Sequence, residues 1–350
     1  MSFNNNKGEI PFPFEIKPLD PETNTELLEY FHGERTGFVQ VGPKKYFFPH
    51  KYKDYAEYFY NFQARPNDVW IATFPRSGTT WTQELIWLLS NNLDFDTARK
   101  ECLSSRFPFF EFCTFMHDEV KQELLDENSD DPIKQDFIEA ISQPPWEFLE
   151  NVQQQRFIKT HFPFSLLPPS VMQQECKVIY IARNPKDVAV SYYHLNRLYR
   201  TQGYVGDFQR YWDYFERSLN PWMPYWSHVK EGWDHRNCSN VLFMFYEDMK
   251  HNFPEAIKKV AKFLDKKLTE DEVTKLAEYL DIKNFKNNPA VNGQEMKDVK
   301  VLKSGEADFV RNGKIGSWLT EFTPKLTAKA DEWIEENLQD TDLRFPQYSV

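Results

Sequence analysis

The sequence has few basic residues for its length, and this shortage limits the partners that it can bind. Its 350 residues include 42 Lys and Arg against 53 Asp and Glu, which gives a formal net charge of −11. Non-specific binding to nucleic acid depends on a high density of cationic side chains. The sequence therefore argues against a nucleic-acid partner. An anionic ligand would have to be held by local donors, because the overall field repels it.

Long apolar runs are also lacking, and cysteine is scarce. No window approaches the roughly 18 consecutive apolar residues of a membrane span. The opening MSFNNNKGEIPFPF has no basic flank followed by an apolar stretch, so it does not resemble a secretory signal. The 4 cysteines show no metal-ligand spacing. We therefore expect reduced thiols, a cytoplasmic location, no membrane partner and no metal.

Glycine is modest in number, at 12, whereas aromatic residues are abundant. The chain contains 31 Phe, 17 Tyr and 10 Trp, together 17% of its residues. This count exceeds what a core usually needs. It leaves two interpretations open: a pocket lined by aromatic side chains, or a core that is rich in phenylalanine.

Four short segments that are apolar almost throughout predict parallel strands covered on both faces. Helical patterns separate several of them, and this alternation predicts one α/β domain, with a doubly wound central parallel sheet flanked by helices. Ligands of such folds bind beyond the C-terminal ends of the strands. We predict strands at 69–74, 156–161, 177–182 and 241–246, helices at 82–91, 186–201, 208–232 and 254–264, and a surface helix pair or mobile loop at 121–137.

The first strand exit is the segment TFPRSGTTW, residues 73–81. Gly78 permits a backbone shape that a side chain would forbid, and the helix that follows offers unpaired N–H groups and the positive end of its dipole. Arg76 adds a permanent cation. The segment lacks the second glycine and the Gly-Lys-Ser/Thr ending of nucleotide-triphosphate loops. It predicts an anion site, and the alternative is an ordinary capped helix after a proline turn. Its hydroxyls are those of Ser77, Thr79 and Thr80.

The second strand exit is the segment RFIKTHFPFSLLP, residues 156–168. Lys159 and His161 alternate by two, so on an extended chain they project to the same side. A cation beside an imidazole could stabilise a transferred anionic group and remove a proton. The alternative is a capping lysine and a structural, hydrogen-bonded histidine.

The third exit is the segment KVIYIARNPKDVAVSYYH, residues 177–194. Arg183 leaves the strand and Ser191 lies two turns into the next helix, which together predict a second anion site. The alternative is that Arg183 pairs with Asp187 or with surface carboxylates.

A fourth segment, FVRNGKIGSW at 309–318, is a glycine-containing loop with cationic side chains. Such a loop could close over a phosphate, although alone it is only a charged turn. The residues of interest in it are Arg311, Asn312 and Gly313.

Together these segments resemble the cytosolic sulfotransferase family over nearly the whole chain. TFPRSGTTW resembles the family's 5′-phosphosulfate loop, KTHFP its catalytic strand end, and ARNPKDVAVSYYH its 3′-phosphate segment. RFPFFEF (106–112) resembles the segment beside the acceptor pocket, FYEDM (245–249) the adenine-facing segment, and FVRNGKIGSW the C-terminal donor loop. TFPRSGTTWTQE and TDLRFP are similar to insect members of the family, to which retinol dehydratase belongs.

The resemblance implies a donor, 3′-phosphoadenosine-5′-phosphosulfate (PAPS), and a product, adenosine 3′,5′-bisphosphate (PAP). It implies that His161 is the general base and that Lys159 and Arg76 stabilise the transferring group. It also implies that Ser191 contacts the 3′-phosphate and restrains Arg76 when no acceptor is bound. Residues 67–350 would form the donor-binding core, and 1–66 would contribute to the acceptor pocket of the same domain. The implied donor contacts are Arg76, Ser77, Gly78, Thr79, Thr80, Trp81, Arg183, Ser191, Tyr246, Leu280, Ile282, Arg311, Asn312 and Gly313. The implied acceptor contacts are His161, Phe47, Phe109, Phe110 and Phe164.

The chain departs from the family pattern at several positions. Arg76 stands where lysine is usual, and Asn312 replaces a second lysine. At 280–282 the sequence Leu-Asp-Ile replaces the family's Thr-Ser-Phe at the adenine. The stretch LTEFTPKLTA (319–328) keeps only Thr323 of the dimer motif, so the sequence leaves the oligomeric state open.

We therefore predict a sulfotransferase that acts on a hydroxyl or amine of a small, mostly apolar or aromatic acceptor. Phenols, aromatic amines, sterols and isoprenoid alcohols fit this description. One alternative is sulfonation-coupled dehydration of an allylic alcohol, as in retinol dehydratase. Another is a non-catalytic binder of lipophilic molecules on the same scaffold. A nucleotide kinase is disfavoured because its loop signature and its Mg²⁺-binding carboxylate are missing from the sequence.

Overall fold

The architecture is built on two sheets, in a computed structural model that describes residues 10–348. Most of the segment examined for a secretory signal, residues 1–9, lies outside the described residues. One sheet is antiparallel, in the order β1-β2-β3, and the other is parallel, in the order β5-β4-β6-β7. The strands are β1 (Ile16–Pro18), β2 (Phe38–Val41), β3 (Tyr46–Pro49), β4 (Val69–Ala72), β5 (Phe157–Thr160), β6 (Lys177–Ala182) and β7 (Val241–Phe245).

The four predicted strands are confirmed as one parallel sheet, with ends that differ by at most two residues from the prediction. Alternate residues of β4 face opposite cores, because successive side chains of a strand point to opposite faces. Trp70 packs into the larger apolar core, whereas Val69 and Ile71 pack into the second one. A strand covered on both faces needs apolar residues at every position, which explains the continuous runs in the sequence.

Helices cover both faces of the parallel sheet, and among residues 10–348 none is long and apolar enough to cross a membrane. The first nine helices are α1 (Pro21–Leu28), α2 (Tyr52–Asn61), α3 (Thr79–Ser90), α4 (Phe95–Lys100), α5 (Leu103–Arg106), α6 (Asp118–Glu127), α7 (Pro132–Ile141), α8 (Trp146–Asn151) and α9 (Pro169–Gln173). The others are α10 (Pro185–Leu198), α11 (Phe208–Glu216), α12 (Tyr225–Asp234), α13 (Tyr246–His251), α14 (Phe253–Phe263), α15 (Glu270–Tyr279), α16 (Ile282–Lys286), α17 (Gln294–Asp298) and α18 (Pro324–Asn337). Short 3₁₀ turns lie at Phe112–Phe115, Phe164–Leu166, His235–Asn237 and Ser317–Thr320.

Helix α3 shows why the segment TFPRSGTTW forms a loop followed by a helix. Leu85, Leu88 and Leu89 recur on one helical stripe and are buried in the second core, which also holds the β4 residues Val69 and Ile71. The helix begins directly after Gly78, which has a left-handed backbone. The apolar stripe therefore fixes the start of α3 at the C-terminal edge of the sheet.

Two helix predictions differ from the structure. The pattern at 208–232 forms two helices, α11 and α12, because Pro221 and Pro224 lie between them and proline removes a helical hydrogen bond. The pattern at 186–201 ends at Leu198, since Tyr199 is extended. The acidic stretch 121–137 falls within the helix pair α6 and α7, as one of its two interpretations predicted. The antiparallel sheet was not predicted from the sequence.

Candidate active site

A cavity of about 830 Å³ opens beyond the C-terminal ends of β4, β5 and β6, and its wall residues lie between Pro75 and Ser317. Within residues 10–66 no side chain lines it, so the predicted contribution of the N-terminal segment does not appear in that range. Ser77 is fully buried behind the wall. The sequence-predicted residues that line the cavity are Arg76, Gly78, Thr79, Thr80, Trp81, Phe109, Lys159, His161, Arg183, Ser191, Tyr246, Leu280, Ile282, Arg311, Asn312 and Gly313.

The loop after β4 is shaped for an anion. Gly78 has φ +95° and caps α3, so the free N–H groups of the first helical turn adjoin the cavity. The Thr79 hydroxyl lies 2.6 Å from the Thr73 hydroxyl and is held by it. The Ser77 Oγ is buried and has no hydrogen-bond partner among residues 10–348. An unsatisfied buried hydroxyl at the start of a helix fits a ligand that supplies the missing acceptor.

Three arginines converge on this loop, and their mutual repulsion indicates where negative charge belongs. Burial, together with the charges of Arg183 and Arg311, lowers the pKa of Arg76 to about 10. Burial, followed by the charge of Arg183, likewise lowers the pKa of Arg311. An anion bound among them would relieve both effects, because an opposite charge favours the charged form of each guanidinium.

Arg183 does not form the ion pair with Asp187 that the sequence left open as an alternative. Its Nη1 donates to the carbonyl of Arg76 (3.0 Å) and its Nη2 to the carbonyl of Lys314 (3.1 Å). Its Nε is buried without a partner in the described part of the chain. Asp187 instead accepts from the backbone of Gly316 and Trp318. Arg183 therefore joins two loops across the cavity and keeps one donor free.

Ser191 and the C-terminal loop hold Arg76 in place. The Arg76 Nε donates to Ser191 Oγ at 2.9 Å, and its Nη2 donates to the Phe309 carbonyl at 3.0 Å. The Phe309 ring lies 5.4 Å from the guanidinium carbon. An arginine can make both contacts at once because its donors form a planar fork, which a lysine lacks.

A flat slot lies beside the arginine cluster. The Trp81 indole stacks on Phe253 at 4.1 Å between ring centroids and donates to the Leu280 carbonyl at 2.9 Å. The Arg183 guanidinium lies over the Tyr246 ring at 4.4 Å. Phe253 was not among the sequence-predicted residues. These rings are suited to packing against a planar heteroaromatic group.

His161 is positioned as a neutral base. Its Nδ1 lies 2.7 Å from the Thr73 carbonyl, which can only accept, so Nδ1 carries the proton and Nε2 keeps its lone pair. Burial and the nearby Lys159 charge lower the pKa of His161 well below its usual value. Thr73 lies in the loop after β4, whereas His161 directly follows β5, and these two strands pair in register. The neighbouring strand exits thus fix the imidazole tautomer.

Lys159 points into the same cavity, as its two-residue spacing from His161 predicts. Its Nζ lies 4.0 Å from the centroid of the Phe109 ring. Burial, together with a smaller effect of the Arg76 charge, lowers the pKa of Lys159 to about 8, although the Glu111 carboxylate opposes the shift. The ammonium therefore lies in an apolar setting where its charge acts strongly on a bound group.

Glu111 is a site residue that the sequence prediction missed. One oxygen accepts from the His161 backbone N–H (2.7 Å) and from the Trp222 indole (3.0 Å), and the other accepts from the Thr160 hydroxyl (2.8 Å). Burial raises the pKa of Glu111 to about 7, although these hydrogen bonds oppose the shift. The Trp222 ring then lies 5.0 Å from the His161 ring. One carboxylate thus fixes both the end of the strand that carries His161 and a wall of the cavity.

Three phenylalanines that were expected at the acceptor pocket lie in the core instead. Phe47 packs against Phe38 at 4.9 Å, Phe110 against Trp70 at 5.3 Å, and Phe164 stacks on His235 at 4.2 Å. Phe109 and Phe110 are adjacent, and only Phe109 lines the cavity. The aromatic excess therefore serves both the core and the pocket. The large apolar side chains that line the cavity include Phe109, Phe112, Phe115, Phe137, Phe148, Tyr199, Trp222 and Met296.

The family model for the sulfotransferase domain matches residues 66–342 of the chain. Luciferin sulfotransferase of Photinus pyralis is 36% identical over 318 residues, which cover 89% of this chain and 82% of that protein. Sulfotransferase 1E1 of Homo sapiens is 31% identical over 297 residues, which cover 84% of this chain and 92% of that protein.

Solved structures of retinol dehydratase are similar to this chain at 39% sequence identity. The complex with androsterone and the inactive cofactor PAP superposes with a TM-score of 0.89 and covers 96% of this chain and 99% of that one. The complex with retinol and PAP superposes with a TM-score of 0.90 and covers 96% and 100%.

Proposed function

The chain belongs to the sulfotransferase family, and from that premise we propose that it transfers the sulfuryl group of PAPS to a small acceptor. The acceptor group is a hydroxyl or an amine on a mostly apolar or aromatic molecule. The observation that carries the proposal is a single cavity that combines an arginine cluster with a neutral His161, whose Nε2 is available as a base.

The residues present fit PAPS, which supplies the sulfuryl group when it is bound. The buried Ser77 Oγ and Arg183 Nε both lack partners among the described residues, at separate places in the arginine cluster. Two anion subsites suit a ligand with a phosphosulfate at one end and a phosphate at the other. Arg76, Ser77 and the first turn of α3 would hold the phosphosulfate, and Arg183, Ser191 and Arg311 the 3′-phosphate. Trp81, Phe253 and Tyr246 would pack against the adenine.

The catalytic roles follow from positions along the cavity. His161 Nε2 accepts the proton of the acceptor hydroxyl or amine, and Thr73 and Glu111 hold the ring and its backbone in place. Lys159 and Arg76 provide positive charge where negative charge develops on the transferring oxygens. Ser191 restrains Arg76 through the contact at Nε. Trp222 and Phe109 flank the His161 ring and direct an aromatic acceptor towards it.

Sulfonation-coupled dehydration is a second candidate function. The similarity to retinol dehydratase at 39% identity favours it. Mass spectrometry of the product from an allylic alcohol separates the two functions, because simple transfer leaves a sulfate ester and dehydration leaves an anhydro compound. A non-catalytic binder is disfavoured, because Lys159 and His161 are both present and both line the cavity.

A cytoplasmic location is part of the proposal. Its support is the state of the cysteines, since Cys102, Cys113, Cys176 and Cys238 are all free. Free thiols suit a reducing compartment.

The pH dependence of kcat/KM should reflect the ionisation of Lys159 and His161 in the protein without bound ligands. Since the pKa of Lys159 is about 8, its ammonium is present below that pH and is lost above it, so we expect kcat/KM to fall as pH rises through about 8. The pKa of His161 is lowered well below 6.5, so its neutral form persists into mildly acidic buffers and the acid limb should lie below pH 6.5. Initial rates between pH 5 and 10 measure both limbs. A profile that stays flat through pH 9 would remove Lys159 from this role.

Replacing Gly78 with alanine should damage the donor loop. A Cβ at this position would lie 2.7 Å from Tyr246 Cδ2, and the φ of +95° is unfavourable for any side chain. We expect a loss of about 1–3 kcal/mol in folding stability and about tenfold weaker PAP binding, measured by thermal melting with and without PAP. As a control, Gly305→Ala carries a similar φ of +83° but meets no atom within 4 Å, so it should leave PAP binding unchanged. A Gly78→Ala variant that binds PAP as tightly as the native protein would contradict the close approach of the loop to Tyr246.

A further inference from the structure

Two polar atoms at the cavity wall are not used by the mechanism described above. Glu295 Oε2 and Ser104 Oγ are both buried, and neither has a hydrogen-bond partner in the described part of the chain. Both residues line the cavity. Leaving a buried polar group without a hydrogen-bond partner destabilises the protein, and more so when the group is charged. Unpaired buried groups at a cavity wall therefore point to a ligand that completes them.

The two atoms come from adjoining segments. Glu295 lies on α17 near Cys102, and burial, followed by the influence of the Glu295 side chain, raises the pKa of the Cys102 thiol to about 12. The backbone N–H of Leu103 donates to the Ala290 carbonyl at 2.8 Å, which joins the Ser104 segment to the chain just before α17. These contacts place Glu295 and Ser104 on one region of the wall.

This region belongs to the acceptor side of the cavity. Met296, the next residue after Glu295, packs with Phe109 and Phe112 around the same apolar cluster. Phe109 in turn contacts the His161 ring at 5.1 Å. The donor-side arginines Arg76 and Arg183 contact other groups than Glu295: Arg76 contacts Ser191 and Phe309, and Arg183 contacts backbone carbonyls.

Glu295 differs from two other buried carboxylates near the cavity. Glu84 is paired through one oxygen with Arg106 and through the other with the Tyr279 hydroxyl. Both oxygens of Glu111 are also occupied, as described above. No lysine or arginine among residues 10–348 forms an ion pair with Glu295. No contact within the described part of the chain therefore explains the position of Glu295 Oε2.

We propose that Glu295, assisted by Ser104, is a specificity-determining residue that selects acceptors carrying a second hydrogen-bond donor besides the reacting hydroxyl. A protonated amine suits this position best, because a carboxylate in an apolar wall forms its strongest contact with a cationic donor. A second hydroxyl could donate a hydrogen bond to the same carboxylate as a neutral group. The inference rests on the proposed function and narrows its acceptor class to bifunctional, otherwise apolar or aromatic molecules.

Phenols with a para side chain test the inference directly. Chains of two to five carbons, each ending in methyl, hydroxyl or ammonium, provide matched sets in which only the terminal group changes. For each phenol, kcat/KM with PAPS is measured for the native protein and for Glu295→Gln and Glu295→Leu. Glu332→Gln is the matched control, since Glu332 is an exposed carboxylate on α18. Binding of the same phenols to protein saturated with PAP, followed by tryptophan fluorescence, gives a readout that does not depend on turnover.

At the best chain length, we expect the native protein and Glu332→Gln to favour the ammonium phenol over the methyl phenol by about tenfold or more in kcat/KM. Glu295→Gln should lose most of the preference for the ammonium phenol over the methyl phenol. It should keep the preference for the hydroxyl phenol over the methyl phenol. Glu295→Leu should favour the methyl phenol. Binding to the PAP complex should follow the same order.

Identical preferences in the native protein and both Glu295 variants would overturn the inference while leaving the proposed function intact. Conversely, absence of sulfuryl transfer to every phenol would count against the proposed function. The binding series would then still decide whether Glu295 recognises the terminal donor.

Discussion

Replacing His161 with alanine should lower kcat by about 10²–10⁴-fold, the range that a positioned general base contributes. The imidazole is neutral, its Nδ1 proton is held by the Thr73 carbonyl, and His161 lines the cavity with Nε2 as its basic nitrogen. The other titratable groups near the Phe109 and Trp222 rings are not equivalent bases, because Lys159 is protonated below about pH 8 and both oxygens of Glu111 already accept hydrogen bonds. Single-turnover rates with saturating PAPS and a phenol measure the loss at the chemical step.

PAP binding separates the loss of a base from damage to the donor site. PAP affinity should change by no more than about twofold in His161→Ala, because the contacts assigned to the donor lie on other residues. His32→Ala, at an exposed histidine of the same chain, is the matched control and should keep full activity. Turnover near the native rate in His161→Ala would remove His161 from the mechanism.

Replacing Arg183 with alanine should weaken PAP binding by about 2–3 kcal/mol, which corresponds to roughly 30–150-fold in Kd. The guanidinium has a free buried Nε and also links the Arg76 loop to the C-terminal loop through two carbonyls. Both the phosphate contact and the closure of the two loops would be lost. Titration calorimetry with PAP measures the change.

Two further variants identify the cause of that change. Arg183→Lys keeps a charge but loses the planar fork, so its affinity should fall between those of the native protein and the alanine variant. Arg217→Ala removes a half-exposed arginine directly after α11 and should have no effect on PAP binding. An unchanged Kd in Arg183→Ala would show that the 3′-phosphate is bound elsewhere.

Most of the residues predicted for the donor side line one cavity, and they could be found in the sequence because their motifs are local. Each anion-binding segment directly follows a strand, and the parallel sheet brings the C-terminal ends of β4, β5 and β6 together. Arg76, Lys159 and Arg183 could therefore be assigned from short motifs. Parallel pairing then determines that all three face one cavity.

The acceptor side could not be predicted in the same way, because its contacts join distant parts of the chain. Glu111 contacts Trp222, which is 111 residues away in the sequence. Trp222 lies within the proline-containing break between α11 and α12, which the helical pattern at 208–232 did not show. The choice between Phe109 and Phe110 depends on the orientation of a short irregular segment beside β5. A cluster of phenylalanines in sequence does not reveal which of them face a pocket.

The structure explains how an arginine is accommodated at position 76, which the sequence alone could not show. Its positive φ of 68° and its contacts with Ser191 and Phe309 fix a guanidinium where the family usually has a lysine. Because Phe309 belongs to the C-terminal loop, Arg76 links that loop to the start of α3. An arginine in this position supports the site through its fork as well as through its charge.

Transfer of label from ³⁵S-labelled PAPS to a panel of phenols and apolar alcohols tests the central claim most directly. The account predicts labelled product with at least one acceptor in the native protein, and its loss in His161→Ala while PAP still raises the melting temperature of both proteins. Mass spectrometry of the unlabelled reaction then identifies a sulfate ester or an anhydro compound. A native protein that is stabilised by PAP but transfers no label to any acceptor, and converts none of them, would contradict the account.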